Sequence, residues 1–179
     1  MINLITRELP LSVIISALIY EDKILLIKRN AKKELCYIMI KPEIACSQNK
    51  VWDIISMLKQ KGLRIEYQST EFLENETVKE HYKHLNDKPF FNGLVEYMTS
   101  DFVVKLLVSG KDAVKIVREL CGPTNPADAM EGTIRKKYGT DIQMNAIHAS
   151  ATVEEGKSET RLHLGKDIVN KLRKKGFEL

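Results

Sequence analysis

The runs LCYIMIKP at residues 35–42 and SQNKVWDIISMLKQKG at 47–62 decide how this chain folds. The first is a compact apolar strand that ends at Pro42, a residue with no N–H to give a sheet ladder. The second places Val51, Ile54, Ile55 and Leu58 at helical spacing, with Gly62 just beyond as a C-terminal stop. A strand followed at once by an amphipathic helix is the opening of an α/β layer.

Reading outward, 63–73 is a strand with polar alternation. Asn75 caps a helix running to about Leu85, and Pro89 begins a second helical piece through Phe91, Leu94 and Tyr97. FVVKLLV at 102–108 is another strand. Residues 111–121 form a helix with Ala113, Ile116, Val117 and Leu120 on one face. Residues 122–144 read as a long irregular stretch, and a loop of that length inside a compact domain usually carries function. A helix around 153–159 and a short strand, TRLHL, at 160–164 follow. Strands and helices in the order βαββαβ predict an α/β (α+β) sandwich: a ferredoxin-like core with a four-stranded antiparallel sheet. That fold hosts many chemistries, so function must come from the residues.

The ends read as additions. Residues 1–34 hold two β-rich runs, SVIISALIY and ILLIKR, around Glu21-Asp22-Lys23, and predict a β-hairpin extension. Their apolar stretch at 9–20 is too short to span a bilayer, and its leader is poorly charged for a signal peptide. Residues 165–179, GKDIVNKLRKKGFEL, read as a basic amphipathic helical tail, a solvated surface helix in the first instance. The domain proper is 35–164.

Composition bounds the partners loosely. The 179 residues are 44% hydrophobic and 29% charged with a net charge of +4, which suits an anionic ligand without demanding one. The three cysteines, Cys36, Cys46 and Cys121, form no CxxC pair. They point to a reducing compartment, hence a cytoplasmic location, and away from a structural zinc site. No GxxxxGK cradle and no HExxH are present, so phosphate binding would fall to side chains such as Lys41, Arg118, Arg135, Lys88 and Thr124. Each alone is an ordinary surface cation or hydroxyl. Lys41 ends a strand, Arg118 ends a helix and Arg135 sits in the long loop, where cations can converge.

Of four histidines, His81, His84 and His163 have no neighbourhood that speaks for chemistry. His148 is flanked by small residues, and a neutral imidazole is a good nucleophile near pH 7. A packed or surface histidine is nevertheless the commoner fate of such a residue.

The ordered motifs change that weighing. CGPTNPADAMEGTIR at 121–135, NAIHAS at 145–150, HYKHLNDKPFFNGLVEYM at 81–98 and YIMIKP at 37–42 resemble the nucleoside diphosphate kinase family, whose patterns are TNPxxAxxGTIR, NxxH with a following small residue and Ser, and HYxxxxxxPFFxxLVxYM. The resemblance runs from about residue 35 to 164.

It implies transfer of the γ-phosphate of a nucleoside triphosphate to a nucleoside diphosphate by a ping-pong route through a phosphohistidine on His148. Glu159 would bond the other ring nitrogen, with Ser150 beside it. Lys41, Tyr82, Arg118, Thr124 and Arg135 would hold phosphates, Asn145 with Lys41 the sugar hydroxyls, and Phe90, Leu94 and Ile142 the base. Mg²⁺ would arrive on the nucleotide, with Asp128 either near it through water or capping its loop. A homo-oligomer is implied, a hexamer ahead of a tetramer or dimer, with no membrane and no specific nucleic acid as partner. Departures from the pattern are Ala151 for an aspartate, Gln143-Met144 before Asn145, EIACSQNK after Pro42, Lys88 before PFF, and Lys136-Lys137 after GTIR, a pair whose positive charge near the site would strengthen nucleotide binding. The alternative is a catalytically weak nucleotide-binding regulatory or scaffold protein of the same fold. The intact His148, Lys41, Arg118, Arg135, Asn145 and Glu159 argue against it.

Overall fold

A computed structural model describes residues 33–179. The hairpin expected within residues 1–34 therefore lies almost wholly outside the described residues. The elements in chain order are β1 (Glu34–Ile40), α1 (Pro42–Ala45), α2 (Gln48–Gln60), β2 (Arg64–Glu71), α3 (Asn75–His81), α4 (Phe91–Met98), β3 (Val103–Gly110), α5 (Ala113–Cys121), α6 (Ile134–Tyr138), β4 (Ile147–Ala149), α7 (Val153–His163) and α8 (Lys166–Lys174). The four strands form one sheet in the order β2-β3-β1-β4, with every pairing antiparallel. This is the expected ferredoxin-like arrangement.

The centre of the sheet is β1, paired along both edges. A strand covered on both faces reads as a continuous apolar run, which is why LCYIMI lacks polar alternation. Its alternate side chains feed two cores. Cys36, Ile38 and Ile40 pack with Ile54, Leu58, Val117 and Ile134 on one face. Leu35, Tyr37 and Met39 pack with Val78, Leu94, Met98 and Leu172 on the other. The register then fixes where chemistry can occur. Met39 faces His148 across the β1–β4 ladder, and cross-strand partners share a sheet face, so His148 points to the side covered by α3 and α4.

Three expectations are corrected. TRLHL is not a strand: 160–163 complete α7, and the fourth strand is Ile147–Ala149. Thr160, His163 and Leu164 are buried, at helical spacing, so the apparent alternation of a five-residue run was ambiguous between periods. The helix beginning at Asn75 stops at His81, with a separate 3₁₀ turn at Lys83–Leu85. The stretch at 122–144 is not structureless. It contains a 3₁₀ turn at Pro126–Asp128, capped by the Asn125 side chain, and the short helix α6, capped by Thr133. Asp128 accepts from Asn125 Nδ2 at 2.9 Å, which is its loop-capping reading. The tail forms α8, but Val169 and Leu172 are buried, so it packs on the domain rather than lying free.

Candidate active site

Of the twelve residues to which the family resemblance gives a part in catalysis or in holding phosphate, sugar or base, eleven line one cleft of about 920 Å³. Only Ser150 does not. It is fully buried beneath, where its hydroxyl bonds the Tyr37 backbone and donates to Glu159 Oε2 at 2.5 Å.

The polar floor is built by β4 and α7. His148 Nε2 lies 2.8 Å from Glu159 Oε1, which leaves Nδ1 as the nitrogen free of that bond. Glu159 sits in the middle of α7, whose start is secured by Thr152 as N-cap and by Glu155. Thr152 Oγ1 accepts from Glu155 N–H at 3.1 Å, and Glu155 Oε2 accepts from Ala151 N–H at 2.8 Å. The aspartate that the family pattern has at 151 is thus not needed to begin this helix. Gly156 lets α7 approach β1, because a Cβ there would stand 2.5 Å from the Leu35 carbonyl oxygen. Two residues before His148, Ala146 takes a left-handed backbone at φ 72°. Its N–H donates to Glu43 Oε1 at 2.9 Å and its carbonyl accepts from Lys41 N–H at 2.9 Å, contacts that hold a conformation most residues avoid.

The cationic wall comes from three elements. Lys41 follows β1 and is buried, with its ammonium donating to the Gln143 carbonyl at 2.7 Å and lying 5.7 Å from the Tyr97 ring centroid. Tyr97 in turn donates to Glu43. Burial pushes the Lys41 ammonium down to about 8, with Glu43 opposing and Arg135 adding to the effect. Arg135, on α6, spends NH1 on the Gly122 carbonyl and NH2 on the Ile147 carbonyl, each at 2.9 Å, while its buried Nε has no partner among the described residues. Arg118 is exposed at the end of α5. Asn145 Nδ2 donates to the carbonyls of Thr124 and Ile142, and its buried Oδ1 is likewise unpaired. Orphaned buried polar atoms are rare and costly, and two of them here belong to cleft-lining residues. At the mouth, Phe90 and Ile142 are more than half exposed although apolar, with Leu94 buried behind. Such exposure is what a planar apolar ligand would cover.

Some expectations fail here. Lys88 does not line the cleft, and neither do Lys136 and Lys137. Lys137 instead pairs with Asp53 on α2 at 2.9 Å, so that basic pair does not strengthen the site. His84 is exposed at the cleft rim, as a surface histidine should be. The larger miss concerns His81 and His163. His81 stands edge-on to His148 with ring centroids 4.4 Å apart, and His163 Nε2 lies 3.0 Å from His81 Nδ1. Burial lowers both pKa values, that of His163 to about 3. Two sequence signals were available: His81 adjoins Tyr82 of the PFF motif, and His163 follows Glu159 by one helical turn.

The family model described as nucleoside diphosphate kinase matches residues 34–169. The chain belongs to the nucleoside diphosphate kinase family. It is 40% identical over 138 residues to the nucleoside diphosphate kinase of Archaeoglobus fulgidus, covering 76% of this chain and 91% of that one. The crystal structure of the nucleoside diphosphate kinase from Encephalitozoon cuniculi superposes with a TM-score of 0.72 at 40% identity, covering 75% of this chain and 91% of that one. The halophilic nucleoside diphosphate kinase from Halobacterium salinarum, solved in complex with CDP, gives a TM-score of 0.71 at 36% identity, with 75% and 90% covered. The protein is accordingly a nucleoside-diphosphate kinase, a nucleotide-binding phosphotransferase. Among the described residues, no helix is long and apolar enough to cross a membrane.

Proposed function

We propose that this nucleoside diphosphate kinase works in two half-reactions through a phosphohistidine on His148. The observation that carries the reading is the His148 Nε2–Glu159 Oε1 contact of 2.8 Å beneath a cleft whose walls are Lys41, Arg118 and Arg135. A carboxylate accepts only, so the nitrogen facing it bears the proton. Nδ1 then keeps its lone pair. It attacks the γ-phosphorus of a nucleoside triphosphate, the bond to the β–γ bridging oxygen breaks, and the nucleoside diphosphate leaves. The terminal oxygen of an acceptor diphosphate then attacks the same phosphorus, and neutral His148 is regenerated.

The remaining residues hold the nucleotide. Lys41, Arg118 and Arg135 stabilise charge on the phosphoryl oxygens, with Tyr82 and Thr124 as further donors. Asn145 and Lys41 meet the sugar hydroxyls. Phe90, Leu94 and Ile142 enclose the base, and stacking of this kind is indifferent to base identity. Magnesium fits as an ion carried by the phosphates. The cleft presents cations to an anion, and the metal-like group among the described residues, His81, His148 and Glu159, offers two nitrogens where Mg²⁺ wants oxygens. Bound to the nucleotide, Mg²⁺ would supply charge neutralisation on the phosphate oxygens. The reading extends to residues 35–164 as the kinase domain and to a cytoplasmic homo-oligomer, a hexamer first, which sedimentation would measure.

Initial rates with ATP and GDP varied together test the mechanism. Parallel double-reciprocal lines are expected, with no turnover by His148→Ala. Intersecting lines would exclude a phosphorylated enzyme form.

A further inference from the structure

Four polar side chains stand in sequence behind the nucleophile. His163 Nε2 is 3.0 Å from His81 Nδ1, His81 Nε2 is 3.8 Å from Glu159 Oε1, and His148 Nε2 is 2.8 Å from the same oxygen. Ser150 closes the other side of the carboxylate. His163 stacks on Tyr37, with centroids 4.7 Å apart and planes inclined by 11°, so its ring cannot turn freely.

We propose that His163 is a positioning residue which, through His81, fixes the protonated nitrogen of His148 and so keeps the nucleophilic lone pair in the cleft. The inference rests on His148 being the nucleophile. Each neutral imidazole has a single N–H. Glu159 accepts only, so the nitrogens facing it, His148 Nε2 and His81 Nε2, both bear hydrogen. At 3.8 Å the second contact is electrostatic rather than a hydrogen bond. His81 Nδ1 is then a lone pair and needs a donor, which is His163 Nε2–H. The remaining atom, His163 Nδ1, is buried with no partner among the described residues, and an unpaired lone pair is more tolerable there than an unpaired N–H. The opposite assignment turns the His81 lone pair onto the carboxylate.

Neutrality is part of the device, and burial secures it. Burial is the dominant cause for both rings, and Lys105 of β3, whose ammonium donates to the His163 carbonyl, further disfavours a cation on His163; the Glu159 carboxylate 3.8 Å from His81 Nε2 pulls the other way, and burial outweighs it. Without the His163 donor, His81 gains freedom to place its hydrogen on Nδ1. Its Nε2 lone pair then repels Glu159, the Glu159–His148 bond loosens, and His148 spends time with Nδ1 protonated and unable to attack.

Long-range ¹H–¹⁵N correlation spectra of histidine-labelled protein at neutral pH read the assignment directly. Hydrogen on Nε2 of His148, His81 and His163 is expected, and hydrogen on His81 Nδ1 would overturn the proposal. His163→Phe keeps the stack on Tyr37 and removes the donor. Its single-turnover phosphorylation by ATP should slow about tenfold, with the nucleotide KM within about twofold, and His148 should show mixed tautomers. His163→Gln, whose amide nitrogen reaches the place of Nε2, should restore most of the rate. Equal rates for Phe and wild type, or for Phe and Gln, would refute the role. Absence of any label on wild type would instead refute the nucleophile reading and leave the tautomer result standing by itself.

Discussion

Replacing Lys41 with methionine should stabilise the ligand-free protein while abolishing transfer. The Lys41 ammonium is buried, and its main partner is one backbone carbonyl, that of Gln143. A fall from 10.5 to about 8 means that folding disfavours the charged form by about 3 kcal/mol. Methionine fills similar space without charge, and forfeits one charge-assisted hydrogen bond worth about 2 kcal/mol net. The difference is about 1 kcal/mol, or an increase in melting temperature of about 2–4 °C for a domain of this size. The dependence on pH has a definite sign. At pH 7 folded and unfolded chains both hold the proton, and the whole penalty is present. Between about pH 8 and 10.5 the unfolded chain holds it and the folded chain does not, so wild-type stability climbs relative to the variant. Thermal melts without nucleotide, from pH 7 to 10, measure this. A variant that melts at or below wild type at pH 7, or a gap that stays constant with pH, would refute the reasoning. Adding nucleotide should raise wild type more than the variant and so narrow or reverse the gap, since the variant lacks one of the phosphate-binding cations.

Other substitutions separate support from chemistry. Glu159→Gln keeps the shape but replaces an acceptor-only group, and should lower kcat about 100-fold with KM nearly unchanged, read in steady-state exchange. Arg118→Ala alters an exposed side chain, so its melting curve should overlay that of wild type while the nucleotide KM rises about tenfold. Gly156→Ala drives a methyl against the Leu35 carbonyl at 2.5 Å. It should cost about 1–3 kcal/mol in a denaturant melt, and a stable variant would mean that α7 sits farther from β1.

The sheet was legible in the sequence because its signals are local. LCYIMI is apolar on both faces since β1 is central, and the turn residues around 42–62 punctuate a helix of the length found. Most of the expected site was legible too, through motifs, and the structure brings eleven of those residues to one cleft. What escaped was set by packing between distant segments. His81 and His163 lie 82 positions apart and meet only because α3 and α7 cover the same face of β1. The local signals, His81 beside Tyr82 and His163 one turn after Glu159, place each residue near the site but do not pair them. Lys136-Lys137 misled for the complementary reason. Their charge is local and visible, whereas the orientation of α6 that turns Lys137 to Asp53 is not. TRLHL failed because five residues are too few to separate a period of two from one of 3.6.

The central claim is that phosphate rests on His148 between the two half-reactions. Intact-protein mass spectrometry after brief exposure to Mg²⁺ and ATP tests it most directly. Wild type should gain one acid-labile phosphoryl group, located at His148 by fragmentation and lost on adding GDP, and His148→Ala should gain none. A phosphoryl group that survives acid, lies on another residue, or remains after GDP is added would contradict the account.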